Sequence, residues 1–123
     1  MKKVLVVDDA MTMRTRIIDI LTKEGYRVVG EAENGVQAVE QYTQLRPDLV
    51  IMDISMPEMN GIDATRAIMV MDPSALVMMC SAMGQQSMVV ESLQAGAKSF
   101  VVKPIKPDDF LAKVKEVLEG IST

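Results

Sequence analysis

Four apolar runs in this sequence of 123 residues lead into side chains that can hold or move charge: VLVV into Asp8 and Asp9, LVIM into Asp53, VMMC into Ser81, and VV into Lys103. If those ends meet, three carboxylates, a hydroxyl and an ammonium share one place. Crowded anions repel unless a cation sits among them, and an all-oxygen donor set suits a hard ion such as Mg2+. Mg2+ takes octahedral oxygen ligands and keeps several waters. Asp8, Asp9 and Asp53 would therefore suffice with one backbone carbonyl from the loop after Asp53, which Ser55 is placed to give. A carboxylate beside Mg2+ can attack phosphorus and form an acyl phosphate, with the metal and the Lys103 ammonium neutralising the transferring oxygens. Ser81 would donate its hydroxyl to a phosphoryl oxygen only once the group has arrived, a difference that could drive a switch. Asp53 is thus expected to be a phosphoryl acceptor in a signalling domain, with Asp53, Ser81 and Lys103 as the reacting set, rather than part of a conventional enzyme. Taken singly, each residue has a plainer role: an aspartate after a strand caps the next helix, and a lone lysine is a solvated cation. The convergence is what argues for chemistry.

The elements must bring those ends together. Runs rich in β-branched residues at Lys3–Val7, Arg27–Glu31, Leu49–Asp53, Ala75–Cys80 and Ser99–Val102 read as five strands. Most are apolar throughout instead of alternating, as in a parallel sheet covered on both faces. Between them Met13, Ile17, Ile20 and Leu21 recur at helical spacing before Gly25, and Ala38, Val39, Tyr42 and Leu45 repeat the pattern. Asn60 can cap a third helix ending near Asp72 and Pro73. Met88, Val89 and Leu93 suggest the inner stripe of a fourth, closed by Gly96. Pro107 suits the first position of a fifth, with Asp108 and Asp109 at its positive end and Leu111, Val114, Val117 and Leu118 as its buried stripe. Strict alternation implies right-handed crossovers and an α/β, doubly wound sheet with helices on both faces, in one domain spanning 1–123. Ligands in such sheets bind beyond the carboxyl ends of the strands, where the charged residues stand. The Lys103–Pro104 bond is a candidate for the cis form, which would aim the lysine inward, and Pro57 stiffens the loop after Asp53.

Composition narrows the class. The 49% hydrophobic and 24% charged residues fit one domain with a real core. A net charge of -4 without runs of like charge offers no basic footprint for nucleic acid and no cationic face for a membrane. The apolar runs are too short to span a bilayer and the N-terminus lacks a signal-peptide pattern, so a cytoplasmic location is expected. With one cysteine, Cys80, and no histidine, neither an internal disulfide nor a Cys/His zinc site is available. Twelve methionines, against two tyrosines, two phenylalanines and no tryptophan, suit irregular gaps in a core and adaptable surfaces.

VLVVDD, LVIMDISMPEMNG, CSA and VVKP together resemble response-regulator receiver domains over the whole length. The resemblance implies a flavodoxin-like strand order of 2-1-3-4-5. It implies that Asp53 takes phosphate from a phosphohistidine on a CheA-like sensor histidine kinase. It also implies Mg2+ on Asp8, Asp9, Asp53 and the Ser55 carbonyl, with Asp9 the more direct ligand of the pair. Phosphorylation would draw the Ser81 hydroxyl inward and let the ring of Phe100 turn into the vacated space. The fourth helix, fifth strand and fifth helix would then present a changed surface. The stretch CSAMGQQSMVVESLQAGAKSFVVKP is more similar to chemotaxis regulators than to the receivers of transcription factors. That implies a FliM-like flagellar motor switch protein as output partner, with a phosphatase as a further partner and a monomer as the expected state. Two positions depart from common members: Phe100 lacks a tyrosine hydroxyl, and Met83 cannot hydrogen-bond a hydrolytic water.

Other readings stay open. The chain could be the receiver of a transcriptional regulator whose output domain lies outside it. A flavin module of this topology would want amides and hydroxyls, not Asp8 and Asp9, after the first strand. An aspartyl-nucleophile hydrolase would want an acid two residues beyond its nucleophile, where Ala10 and Met11 stand.

Overall fold

The computed structural model describes residues 1–120. Five strands alternate with five helices: β1 Lys3–Val7, α1 Met11–Lys23, β2 Arg27–Ala32, α2 Gly35–Leu45, β3 Leu49–Met52, α3 Gly61–Met71, β4 Val77–Ser81, α4 Gln86–Ala95, β5 Ser99–Val102 and α5 Pro107–Glu119. The strands pair in parallel in the order β2-β1-β3-β4-β5, as expected.

Successive residues of a strand face opposite sides of the sheet, so each uniformly apolar strand feeds two cores. Leu5, Val7, Val50, Met52, Val77 and Met79 pack on one face with Ala38 and Tyr42 of α2 and with Ile62 and Ile68 of α3. Val4, Val6, Leu49, Ile51, Met78 and Cys80 pack on the other with Ile17 and Leu21 of α1 and with Phe110, Val114 and Val117 of α5. All four residues of β3 are buried, which is what both-face coverage requires of a central strand.

Local signals set most helix ends. The Asn34 and Asn60 side chains accept hydrogen bonds from the N–H groups of Gln37 and Asp63, capping α2 and α3. Pro107 opens α5, with Asp108 and Asp109 in its first turn. Gly96 ends α4 with φ of 119°, and a side chain there would also strike Met69. The Lys103–Pro104 bond is cis.

Several details differ from expectation. β3 stops at Met52, so Asp53 lies just past the strand, while β4 runs from Val77 to Ser81 instead of from Ala75 to Cys80. β2 extends to Ala32, and its pairing steps from Val4↔Val28 to Leu5↔Gly30, leaving Val29 as an extra residue. In α4 the buried residues are Ser92 and Ala95, whereas Leu93 is 47% exposed. Met88 and Val89 are partly buried, with Met88 packed against the core that includes Ala95, so of the expected stripe only Leu93 turns outward. The inner stripe of α5 begins one residue earlier than expected, at Phe110, with Leu111 and Leu118 only partly buried.

Candidate functional site

Two acids of the site, Asp8 and Asp53, each continue a ladder by one hydrogen bond past their strand. The Asp8 N–H donates to the Ala32 carbonyl at 3.0 Å, and the Asp53 N–H donates to the Val7 carbonyl at 3.0 Å. The Lys103 N–H likewise donates to the Ser81 carbonyl at 2.9 Å. Because β1, β3, β4 and β5 are neighbours and parallel, these extensions bring residues far apart in sequence to one edge.

There the side chains converge. Carboxylate oxygens of Asp8, Asp9 and Asp53 all lie within 4.8 Å of one another. The Lys103 ammonium donates to Asp8 Oδ2 at 2.5 Å and stands 3.7 Å from Asp53 Oδ2. The other oxygen of each buried acid is held locally: Asp8 Oδ1 accepts from the Ala10 N–H at 2.9 Å, and Asp53 Oδ1 from the Ile54 N–H at 2.8 Å. Asp8 and Asp53 are buried, while Asp9 is exposed at the mouth.

Burial pushes the Asp53 carboxyl up to about 6. The Lys103 charge and the Ile54 N–H pull against that rise, and the Asp8 and Asp9 charges add to it. Burial alone would lower the Lys103 pKa, but the hydrogen bond to Asp8 and the charges of Asp53 and Asp8 outweigh it and leave the pKa raised. The lysine is therefore a fixed cation at neutral pH. Three carboxylates against one ammonium leave a net negative pocket of oxygen donors, a set that could bind a hard divalent cation.

The remaining expected residues lie on neighbouring strands and loops. Ser81, at the end of β4, is buried, and its Oγ accepts from the Met83 N–H at 3.1 Å. Phe100 pairs with Met79 across the sheet and packs, half-buried, against the α2–α3 core. Ser55 lies exposed in the loop between β3 and α3. Cys80 faces the opposite core; burial pushes its thiol up to about 12, and it stays an inert core residue.

Two residues that matter here escaped the sequence reading. A Cβ at Gly61 would lie 1.9 Å from the Asp53 carbonyl oxygen, so only glycine lets the start of α3 close against Asp53. Arg14 is buried on the inner face of α1, with its guanidinium against the Asp8 carbonyl at 2.7 Å. A signal existed for Arg14: it falls at helical spacing with Ile17, Ile18 and Leu21, a cation on an apolar stripe. Gly61 was marked only by closing the motif LVIMDISMPEMNG, which gave it no role.

Comparison with known proteins agrees with this architecture. Residues 4–115 match the family described as "Response regulator receiver domain". The chain is 57% identical to "Chemotaxis protein CheY" of Thermotoga maritima over 121 residues, which is 98% of each chain. It is 56% identical to the protein of the same name from Bacillus subtilis, over 94% of this chain and 97% of that one. Among solved structures, a chain of the CheX–CheY–BeF3–Mg2+ complex from Borrelia burgdorferi superposes with a TM-score of 0.92 at 37% identity, covering 94% of this chain and 88% of that one.

Proposed function

This chain belongs to the response regulator receiver domain family, as a chemotaxis regulator of the CheY type, and from that premise we propose that Asp53 is its phosphoryl acceptor. The observation that carries the reading is the Lys103 ammonium set between Asp8 and Asp53 at 2.5 and 3.7 Å, beside three acids whose oxygens lie within 4.8 Å. Asp8, Asp9, Asp53 and the Ser55 carbonyl would hold Mg2+, which would supply charge neutralisation for the transferring oxygens. The relative from Borrelia burgdorferi solved with BeF3 and Mg2+ supports that choice of ion.

The residues divide the work. An Asp53 carboxylate oxygen attacks the phosphorus of a phosphohistidine on a sensor histidine kinase. The new P–O bond forms as the P–N bond breaks, and the imidazole nitrogen keeps the electron pair of that bond. The Lys103 ammonium offsets the charge that would otherwise repel the incoming phosphoryl group. The Ser81 hydroxyl now takes the Met83 N–H; it turns to donate to a phosphoryl oxygen, and Phe100 moves into the space released. The surface of α4, β5 and α5, where Val90, Leu93 and Val102 are exposed, is then read by a flagellar motor switch protein. A phosphatase resets the acceptor, and the domain acts in the cytoplasm as a signalling protein that assists its own modification.

The test is incubation with Mg2+ and acetyl phosphate or beryllofluoride, followed by mass and by 15N–1H spectra. Wild type should gain one phosphoryl group and, with beryllofluoride, show resonance changes in α4 and β5. Asp53→Asn should do neither. A wild type that stays unlabelled and spectrally unchanged with Mg2+ present would sink the assignment.

A further inference from the structure

Asp8 is held at every polar group. Its N–H donates to Ala32, one carboxylate oxygen takes the Ala10 N–H and the other takes Lys103. Its carbonyl accepts from Arg14 Nη1 at 2.7 Å. Asp9 is the opposite case: among the described residues its carboxylate has no hydrogen bond or ion pair, so its position is inherited from the backbone. The carbonyl of Asp8 and the N–H of Asp9 belong to one planar peptide unit. Whatever holds that carbonyl sets the plane from which Asp9 projects.

Arg14 is built for the task. Its side chain is only 8% exposed, and Nε donates to Glu31 Oε1 on β2 at 2.9 Å while Nη2 lies 4.0 Å from Glu33 Oε1. The guanidinium is planar, so anchoring Nε on β2 fixes the direction in which Nη1 points. Lysine has one nitrogen and cannot make both contacts with the same geometry.

We propose that Arg14 is a positioning residue for the metal site, orienting the Asp8–Asp9 peptide so that the Asp9 carboxylate is aimed at the cation. This rests on the reading that Asp8 and Asp9 hold Mg2+. Groups that orient metal ligands typically contribute about 10- to 100-fold in affinity when removed. A nearby charge acts with the opposite sign. If Arg14 mattered only as a cation, its removal would relieve repulsion and tighten Mg2+, and a lysine in its place would change nothing.

The experiment is calorimetric titration of Mg2+ into wild type, Arg14→Lys and Arg14→Met, with the 15N–1H resonance of Asp9 followed before metal is added. Both variants should bind Mg2+ about 10-fold more weakly, and the Asp9 amide should already be displaced. Affinities within about twofold of wild type, or tighter binding by Arg14→Met, overturn the proposal. Should both Arg14 variants fail to fold, Glu31→Gln carries the test. It loosens the Nε anchor, and it should weaken Mg2+ and shift the Asp9 amide; an unchanged affinity and resonance overturn the idea equally. A wild type that binds no Mg2+ would instead refute the underlying metal assignment.

Discussion

A carboxylate that is 6% exposed and faces two others bears a load that its single ammonium neighbour only partly relieves, and this describes Asp53. Its pKa rises from 3.8 to about 6 on folding. Between those values the native state binds more protons than the unfolded chain, so the contribution of this group to stability grows as pH falls through 6 and is lost as pH rises. At 1.36 kcal/mol per unit the effect has an upper limit of about 3 kcal/mol. Asp53→Asn should therefore be more stable than wild type at pH 7 without added metal, by about 1 to 3 kcal/mol, with the difference shrinking toward pH 4. Urea unfolding of both proteins at the two pH values measures this. A variant less stable at pH 7 would show that the acid is better compensated than its surroundings indicate.

Among the helices, α4 is the one whose inner face carries an unmet polar group. Ser92 Oγ is fully buried with no hydrogen-bond partner among the described residues. The N-cap residue of the helix, Gln85, makes no side-chain cap, and the helix turns Val90 and Leu93 to solvent. A buried hydroxyl without a partner costs about 1–3 kcal/mol, so Ser92→Ala should raise stability by about 1 kcal/mol. The check is a higher urea midpoint with an unchanged slope. A lower midpoint would mean that the hydroxyl bonds within the helix. In contrast, α3 is tied at its start by the Asn60 cap and by Gly61 against Asp53, with Thr65 donating to the Gly61 carbonyl at 2.7 Å. The element next to Asp53 is thus anchored at its first turn, while α4 leaves a buried hydroxyl unmet.

At the scale of the whole molecule, a cation held by the acid cluster would couple its binding to folding. A cation that binds only the native state at 100 times its Kd adds about 2.7 kcal/mol, or a rise in Tm of about 10 °C. That rise should be large at pH 7.5 and shrink on going to pH 5, because below about 6 a proton on Asp53 competes with the ion. Thermal unfolding with and without Mg2+ across this range reads it directly, with Asp9→Asn as a control expected to lose most of the shift. A shift independent of pH would place the ion away from Asp53.

Strand identity, helix alternation and the acids, hydroxyl and lysine at the strand ends were all legible in the amino-acid order. They follow from local rules: apolar runs for buried strands, 3.6-residue spacing for helices, and asparagine or proline at helix starts. The fold class was equally accessible, because uniformly apolar strands separated by helices admit few arrangements. What only the tertiary structure decided depends on distances across the sheet. No local pattern says that Lys103 leans 2.5 Å from Asp8 while standing 3.7 Å from Asp53. Nor does one say that Leu93 turns outward over a buried Ser92, or that Gly61 must lack a side chain because the Asp53 carbonyl occupies its place. Arg14 shows the boundary most clearly. Its place on the apolar stripe of α1 was visible in the sequence, but its bond to the Asp8 carbonyl exists only because the guanidinium is anchored to Glu31 on β2, a strand paired with β1. Which acids could gather was written in residue type; how each one is aimed is a property of packing.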